Sequence, residues 1–221
     1  MTRVWPAGGR SKWVIGAACM GLCLALPLVA EDKQDGKPEE PKAVEQLKLV
    51  NPGFEEGEDT VSGWKRGAPI DGVEYLWDRN IGHDSKCSVA IRKTGQKYSP
   101  VAEWTQTVPH SGKTTKLRLS AFVRAEKMQK ALLDVTFLPA KGEATHQWAA
   151  YIGAKKEDDR PADHTWREYS GVVAVPKDTK ELTIGLQVYG PGAVWFDDVK
   201  AEYVPDSTPA SYYDEKGKPK P

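Results

Sequence analysis

The sequence predicts an all-β protein, an antiparallel β-sandwich of about ten strands in two sheets. Three observations support this fold class. Apolar and polar residues alternate in short runs, residues that favour turns separate the runs, and no window carries the apolar stripe of an amphipathic helix. Together they indicate half-buried strands connected by tight turns.

The alternation is clear in residues 182–188, where Leu182 and Ile184 share one face while Thr183 lies on the other. The same pattern occurs in the runs 89–91, 117–123, 133–137, 169–175 and 194–199. Turn chemistry, rich in Gly, Pro, Ser and Asp, separates the runs at 93–95, 109–112, 140–142, 176–178 and 190–192. These turns set the number of strands.

The N-terminus predicts export. Residues 1–12 contain three basic side chains and no acid, residues 13–30 are apolar, and a polar stretch starts at Glu31. This pattern is typical of a secretory signal peptide cleaved after Ala30, which places the protein outside the cell or in the cell envelope, in the periplasm or at the cell surface. One alternative is an uncleaved membrane anchor, because about eighteen apolar residues approach the length that spans a bilayer. A lipoprotein at Cys19 or Cys23 is a weaker alternative, because neither cysteine has the expected flanking residues.

The rest of the chain divides into three parts. Residues 31–45 are charged and contain proline, which predicts a disordered linker. Residues 46–203 are long enough for one domain with a substantial core. Residues 204–221 contain four prolines and are predicted to be a disordered tail without regular structure.

Charge and cysteine content exclude several classes of partner. The chain has 31 basic and 31 acidic residues, and three of the basic ones leave with the signal peptide. The mature protein is therefore slightly acidic, which argues against nucleic acid or an anionic membrane as partner; a membrane is involved only if the signal segment is retained as an anchor. Cys87 is the only cysteine of the mature chain, so the sequence predicts no internal disulfide and a buried, apolar role for this side chain.

Short motifs in a fixed order carry a resemblance to a known family. The domain begins with NPGFEEG at 51–57 and GW at 63–64, continues with WTQ at 104–106 and WREY at 166–169, and ends with FDDV at 196–199. This order resembles the carbohydrate-binding modules of the family 4/9 type, which have a galactose-binding-like jelly-roll fold and often accompany secreted glycanases. The resemblance covers nearly all of 46–203 and implies the fold more specifically than the ligand.

The resemblance also implies where a glycan would bind. In related modules one concave sheet carries the ligand, and it corresponds here to residues 101–108, 131–138, 146–152 and 182–189. Aromatic faces stack on the C–H surface of sugar rings, while amides and carboxylates bind hydroxyl groups. The predicted carbohydrate-binding residues are Trp104, Gln106, Asp134, Trp148, Tyr151, Gln187 and Tyr189. Tyr75 and Trp77 are expected to flank the groove, and core packing remains the alternative role of Trp104 and Trp148.

A structural calcium ion is the only cofactor that the resemblance implies. It places Glu55 and Asp197 on the ion, near the two ends of the domain, and carboxylates are ligands that Ca²⁺ prefers. In the alternative interpretation, Glu55 caps a turn and Asp197 binds backbone groups at a strand bulge.

The sequence predicts no catalytic activity. Asp197 and Asp198 are adjacent on a predicted strand, so their side chains should point to opposite faces, whereas a glycosidase needs two carboxylates across one substrate. The four histidines are dispersed, and no nucleophile or phosphate-binding motif occurs.

Two functions follow from these observations. The first is a secreted, non-catalytic carbohydrate-binding module that binds poly- or oligosaccharide on a concave sheet face. The second is a structural or protein-interaction jelly roll of the cell envelope, with other envelope proteins as partners and no sugar site. Exposure of at least two of the predicted aromatic residues on one face would favour the first.

Overall fold

A computed structural model describes residues 42–111, 114–153 and 161–213, together with the backbone of 219–220. The predicted signal peptide and most of the predicted linker lie outside these residues. The described residues belong to one compact unit, residues 40–221. In this part of the chain no helix has the length and apolar character needed to cross a membrane.

The described residues form thirteen strands and no α-helix, which confirms the predicted all-β class. Nine strands are six residues or longer, close to the predicted ten. The strands are β1 (Glu45–Gln46), β2 (Lys65–Arg66), β3 (Val73–Asp78), β4 (Ser88–Lys93), β5 (Ala102–Pro109), β6 (Lys116–Met128), β7 (Lys130–Pro139), β8 (Thr145–Gly153), β9 (Ala162–Ala174), β10 (Thr179–Val188), β11 (Gly192–Tyr203), β12 (Tyr212–Tyr213) and β13 (Pro219–Lys220).

The strands form two antiparallel sheets. The first has the order β3-β4-β11-β6-β9, with β1 also paired to β11. The second has the order β13-β12-β8-β7-β10-β5-β2. Strands β5, β7, β8 and β10, which hold the four segments predicted to carry the ligand, are therefore neighbours in the second sheet.

The core lies between the inner faces of the two sheets. Alternate residues of each long strand are buried there, such as Leu119 on β6 and Ile184 on β10, as the period-two pattern predicts. A second, smaller apolar cluster lies apart from this core and contains Leu132, Trp148 and Tyr151. This smaller cluster belongs to the outer face of the second sheet, because its members alternate with inward-facing residues along β7 and β8.

Ordered structure extends beyond both predicted domain boundaries, residues 46 and 203. The Val44 N–H donates to the Tyr203 carbonyl at 2.7 Å, so strand pairing begins within the segment predicted as linker. At the other end, Val204 is fully buried and Ser211 pairs with Val172. Pro205 and Pro209 do not prevent order here, because strand pairing follows them, and Pro219 lies on an edge strand, where no N–H donor is needed.

Candidate ligand-binding face

Two predicted binding residues, Trp104 and Gln106, face the core, so their assignment to the ligand face is wrong. Trp104 is 4% exposed, and its indole N–H donates to the Ala90 carbonyl at 3.3 Å. The Gln106 amide is equally buried because it ties a loop to the sheet: it accepts from the Val50 N–H and donates to the Val50 and Gly63 carbonyls. On β5 the residues that point outward are instead the small or acidic ones.

The other five predicted residues share the outer face of the second sheet. Asp134 on β7 lies directly opposite Trp148 on β8, and Gln187 on β10 lies beside Leu132, which in turn lies opposite Tyr151. Tyr189 directly follows β10 and donates its backbone N–H to the Lys130 carbonyl. The face thus joins aromatic rings to hydrogen-bonding groups across three neighbouring strands.

Two of the aromatic rings on this face are not exposed platforms. Trp148 is 5% and Tyr151 is 9% exposed, and β12 pairs with the Trp148 backbone at the end of the sheet. Tyr189 is half-buried. The exposed ring that sequence reasoning missed is Tyr98, in the loop before β5, which approaches Gly190. Tyr98 and Tyr189 are therefore more accessible to a ligand on this face than Trp148 and Tyr151.

A polar chain crosses the face from β5 to Tyr189. The Gln187 amide donates to Glu103 Oε2 at 3.1 Å, and the Tyr189 hydroxyl donates to Gln187 Oε1 at 3.1 Å. Burial, and then the negative charges of Asp134 and Glu103, raise the pKa of Tyr189 to about 12, against a smaller opposing effect of the Trp148 indole N–H. Tyr189 therefore acts as a hydrogen-bonding group that stays protonated.

Asp134 forms a second polar group further along the face. Its carboxylate is 1% exposed and accepts from Thr136 Oγ1 at 3.0 Å, and it pairs with His146 Nδ1 at 2.9 Å. His146 itself is exposed. A ligand would meet His146 and not the Asp134 carboxylate, so the role of Asp134 is to orient its neighbours.

Lys130, at the start of β7, occupies a cage of aromatic rings that the sequence analysis did not identify. Its Nζ lies 4.3 Å from the ring centroid of Trp148, 4.5 Å from that of Tyr189, and 5.7 and 5.8 Å from those of Tyr151 and Tyr98. These distances are typical of cation–π contacts. The available signal was the alternation of β7, which places Lys130 on the same face as Asp134.

A cleft opens beside this face, between β8 and β9. Its volume is about 420 Å³, and its walls include the rings of Tyr151, Tyr169 and Tyr213. Arg167 and His164 also line it, and His164 Nε2 lies 2.8 Å from the Tyr169 hydroxyl. Rings and polar groups in a space of this size are usual for small-ligand pockets.

The remaining aromatic candidates lie elsewhere. Tyr75 and Trp77 are on β3 in the first sheet, so the expectation that they flank the ligand face is wrong. Trp64 and Trp195 are buried, and their indole N–H groups donate to Asn51 and Asp78. Cys87 is buried as well, which confirms its predicted role, and burial raises the pKa of its thiol.

The two predicted calcium ligands meet the same loop, residues 83–87. Glu55 Oε1 accepts from the Cys87 N–H at 2.6 Å, while Asp197 Oδ2 accepts from the His83 N–H at 2.7 Å and from Ser85 Oγ at 3.1 Å. Among the described residues no three His, Cys, Asp or Glu side chains are grouped to hold a metal ion. The carboxylate oxygens that Ca²⁺ would need as ligands accept hydrogen bonds from N–H and O–H groups. The alternative interpretation, in which Glu55 and Asp197 bind backbone groups, expects such hydrogen bonds.

The prediction that Asp197 and Asp198 point to opposite faces is wrong. Asp198 has a φ of 48°, and the β11 register shifts between Asp197 and Lys200, so the usual alternation is interrupted. Both carboxylates reach His83: Asp198 Oδ2 lies 2.9 Å from its ring Nδ1, and Asp197 accepts its backbone N–H. The His83 ring also stacks on Phe122 at 3.6 Å, which holds it in place.

Asp197 is the most strongly buried acid of this group. It is 0% exposed, and burial, opposed by its hydrogen bonds, raises its pKa from 3.8 to about 6. We call Glu55, His83, Ser85, Asp197 and Asp198 the chain-end cluster. Its contacts join the 83–87 loop to β11 and to the segment after residue 51. The role of this cluster is therefore structural.

The sequence was compared with protein families and with known proteins. No family model matches the sequence. The chain is similar to an uncharacterized HTH-type transcriptional regulator, YbfP of Bacillus subtilis (strain 168), with 26% identity over 140 residues, which is 61% of this chain and 45% of that protein. The chain thus spans less than half of this relative, and its described residues contain no helix and so no helix-turn-helix motif.

Three solved structures share the fold. The CBM22-1–GH10 modules of Clostridium thermocellum xylanase 10B, solved with xylohexaose, match with a TM-score of 0.53 and 17% identity, covering 72% of this chain and 29% of that one. The CBM22-1–CBM22-2 tandem domain of Paenibacillus barcinonensis Xyn10C matches with a TM-score of 0.52 and 15% identity, covering 77% and 50%. The enzymatically active domain of bacteriophage CBA120 tailspike protein 4 matches with a TM-score of 0.50 and 18% identity, covering 73% and 22%. At these identities the likeness shows the fold alone, the jelly-roll sandwich of carbohydrate-binding modules.

Proposed function

We propose that the protein is an exported, non-catalytic carbohydrate-binding module that binds a glycan on the outer face of its second sheet. One observation carries this proposal. The half-buried ring of Tyr189 is hydrogen-bonded to Gln187, which in turn binds Glu103, and the exposed ring of Tyr98 lies with Tyr189 around Lys130. Sugar binding needs this combination of ring faces and directional polar groups.

The comparisons support this proposal through the fold. Two of the three solved structures compared above contain modules of the CBM22 type, and one of these was solved with xylohexaose. The sequence motifs resemble the related family 4/9 type, and we propose the wider jelly-roll class of carbohydrate-binding modules rather than either family. The aromatic cleft between β8 and β9 can extend the binding surface around the edge of the sheet.

The test is a glycan array and affinity gel electrophoresis with residues 40–221, the compact unit. Gln187→Ala removes the amide that links Glu103 to Tyr189, and we expect it to weaken binding about tenfold, since it removes two hydrogen bonds at the site. Gln96→Ala is the matched control, because Gln96 is exposed in the loop before β5. Binding that both variants retain in full would show that the glycan uses another surface.

A second candidate function is a structural or protein-interaction domain of the cell envelope. The burial of Trp148 and Tyr151 favours it, because these rings serve the fold and are not open platforms. A folded protein that binds no glycan on the array, but is recovered with envelope proteins after cross-linking in its native cells, would support this function instead.

Export is part of the proposal and has its own test. N-terminal sequencing of the protein from cell-envelope and medium fractions should give a chain that starts at Glu31. A chain that starts at Met1 and is found in the membrane fraction would indicate the retained anchor.

A further inference from the structure

Two buried donor groups on the outer face lack an ordinary hydrogen bond in the described part of the chain. The first is the ammonium of Lys130, a residue that is 8% exposed and whose Nζ lies against four aromatic rings. No carboxylate of the described residues lies within ion-pair distance of it. Its Nζ is also absent from the fully buried unpaired atoms, so solvent or a ligand can reach it.

The other buried lysine, Lys93, does have hydrogen-bond acceptors. Lys93 is 4% exposed, and its Nζ donates to the carbonyls of Tyr98 and Pro100 at 3.2 and 2.9 Å. Burial lowers the pKa of both lysines. Lys93 has protein acceptors that offset part of this cost, whereas Lys130 has only the faces of the rings.

The second donor is the indole N–H of Trp148. It is buried and makes no hydrogen bond of ordinary geometry, and the Trp148 ring lies against the Lys130 ammonium at 4.3 Å. The indoles of Trp64, Trp77, Trp104 and Trp195 all donate to an oxygen atom. Trp148 therefore differs from four tryptophans of the same fold, and it lies beside Lys130, the buried lysine that donates to no oxygen acceptor among the described residues.

We propose that the aromatic cage of Lys130 is the subsite for the carboxylate of an acidic sugar, so that the ligand class is a uronate-bearing glycan. A carboxylate would accept hydrogen bonds from the ammonium and would supply the charge that the cage lacks. The rings of Tyr98 and Tyr189 would at the same time contact the C–H surface of the sugar. This inference rests on the proposed function and specifies its ligand.

The acids already present on this face do not take that role. Glu103 accepts from the Gln187 amide, and Asp134 accepts from Thr136 and pairs with His146. Both carboxylates are thus hydrogen-bonded to other side chains and form no ion pair with Lys130. They are available to orient the polar groups that meet the sugar hydroxyls.

The experiment compares the full-length protein on glycans that differ only in charge. Polygalacturonate is paired with its methyl ester, and glucuronoxylan is paired with its carboxyl-reduced form. We expect at least about tenfold tighter binding to the acidic member of one pair, since a hydrogen bond to a charged group contributes this much. Isothermal titration calorimetry gives the affinities.

Three variants locate the effect. Lys130→Gln should remove the preference for the acidic glycan, and Lys130→Arg should restore most of it because the charge is kept. Lys177→Gln is the control, since Lys177 is exposed in the turn between β9 and β10. Circular dichroism and thermal melting establish that each variant is folded.

Three other outcomes would each overturn either the carboxylate subsite or the proposed function. Equal binding of acidic and neutral glycans by the wild type overturns the carboxylate subsite but leaves the proposed function intact. Equal losses in Lys130→Gln and Lys177→Gln mean general charge attraction and also overturn the subsite. No binding of any polymer by the folded protein overturns the proposed function itself.

Discussion

The chain-end cluster and the Lys130 cage are both buried and charged, but they differ in how their polar groups are paired. In the chain-end cluster, Asp197 accepts three hydrogen bonds, from His83, Ser85 and Asp198. In the cage, the Lys130 ammonium has no carboxylate partner among the described residues, and the Trp148 indole N–H makes no hydrogen bond of ordinary geometry. Burying an unpaired polar group costs free energy, so a site that retains such groups is a better candidate for a ligand than one whose groups are all paired.

This comparison predicts different roles for the two side chains. The hydrogen bonds that Asp197 accepts are needed for stability, whereas the charge of Lys130 is needed for binding. Substitutions in the chain-end cluster should therefore lower stability more than substitutions in the cage.

Asp197→Ala is expected to lower the free energy of unfolding by about 3 kcal/mol at pH 7, because three donors lose their acceptor. Lys130→Met is expected to change it by less than about 1 kcal/mol, because no hydrogen bond or ion pair is lost. Urea denaturation followed by tryptophan fluorescence measures both. Equal losses in the two variants would remove the distinction between the regions.

Stability should also depend on pH through Asp197. Its pKa is raised from 3.8 to about 6 in the folded state, so the folded protein binds this proton more tightly than the unfolded chain. The contribution of Asp197 is therefore present below pH 4 and is lost as the pH rises towards 6, by at most about 3 kcal/mol.

Asp197→Asn isolates this contribution, because the amide does not titrate. Urea unfolding at several pH values should show that the free energy of unfolding falls less steeply between pH 4 and 6 in the variant than in the wild type. The same slope in both proteins would mean that Asp197 titrates normally.

Calcium binding by Glu55 and Asp197 remains a prediction of the sequence resemblance. A bound ion should raise the free energy of unfolding by about 3 kcal/mol at a concentration one hundred times its dissociation constant. Thermal melts in CaCl₂ and in EDTA measure this, and Asp197→Asn should abolish the difference. Identical melting temperatures in the two buffers would favour the alternative, in which the carboxylates serve only the backbone N–H groups.

The smallest effect concerns two tryptophans of nearly equal burial. Trp104→Phe removes the hydrogen bond to Ala90, whereas Trp148→Phe removes none of ordinary geometry. We expect the first variant to be about 1 kcal/mol less stable than the second, measured by urea unfolding. A larger loss in Trp148→Phe would show that its indole N–H has an acceptor in solution.

The sequence predicts the sheets well because alternation is a local signal. Leu182 and Ile184 mark the inner face of β10 without any knowledge of their neighbours. On β5 the inward residues Ala102, Trp104 and Val108 share their face with the polar Gln106, so the sequence lacks a clean alternation and does not decide whether Trp104 faces the core.

The rest depends on features that local patterns do not contain. Asp197 and Asp198 share His83 because Asp198 adopts a left-handed conformation within a bulge, which no residue type requires. The cage joins Lys130 to rings from β8, from the segment after β10 and from the loop before β5, so only the tertiary fold brings it together. The order of residues 204–213 likewise comes from pairing with distant strands.

The central claim, that a glycan binds the outer face of the second sheet, is tested most directly by nuclear magnetic resonance of the tryptophan indole N–H groups. The protein is titrated with the best glycan from the array, and the indole signals are assigned by single Trp→Phe variants. We predict that the Trp148 signal shifts on binding while those of Trp104 and Trp195, whose N–H groups are paired inside the fold, stay in place. A glycan that shifts other signals and leaves Trp148 unchanged would contradict the account.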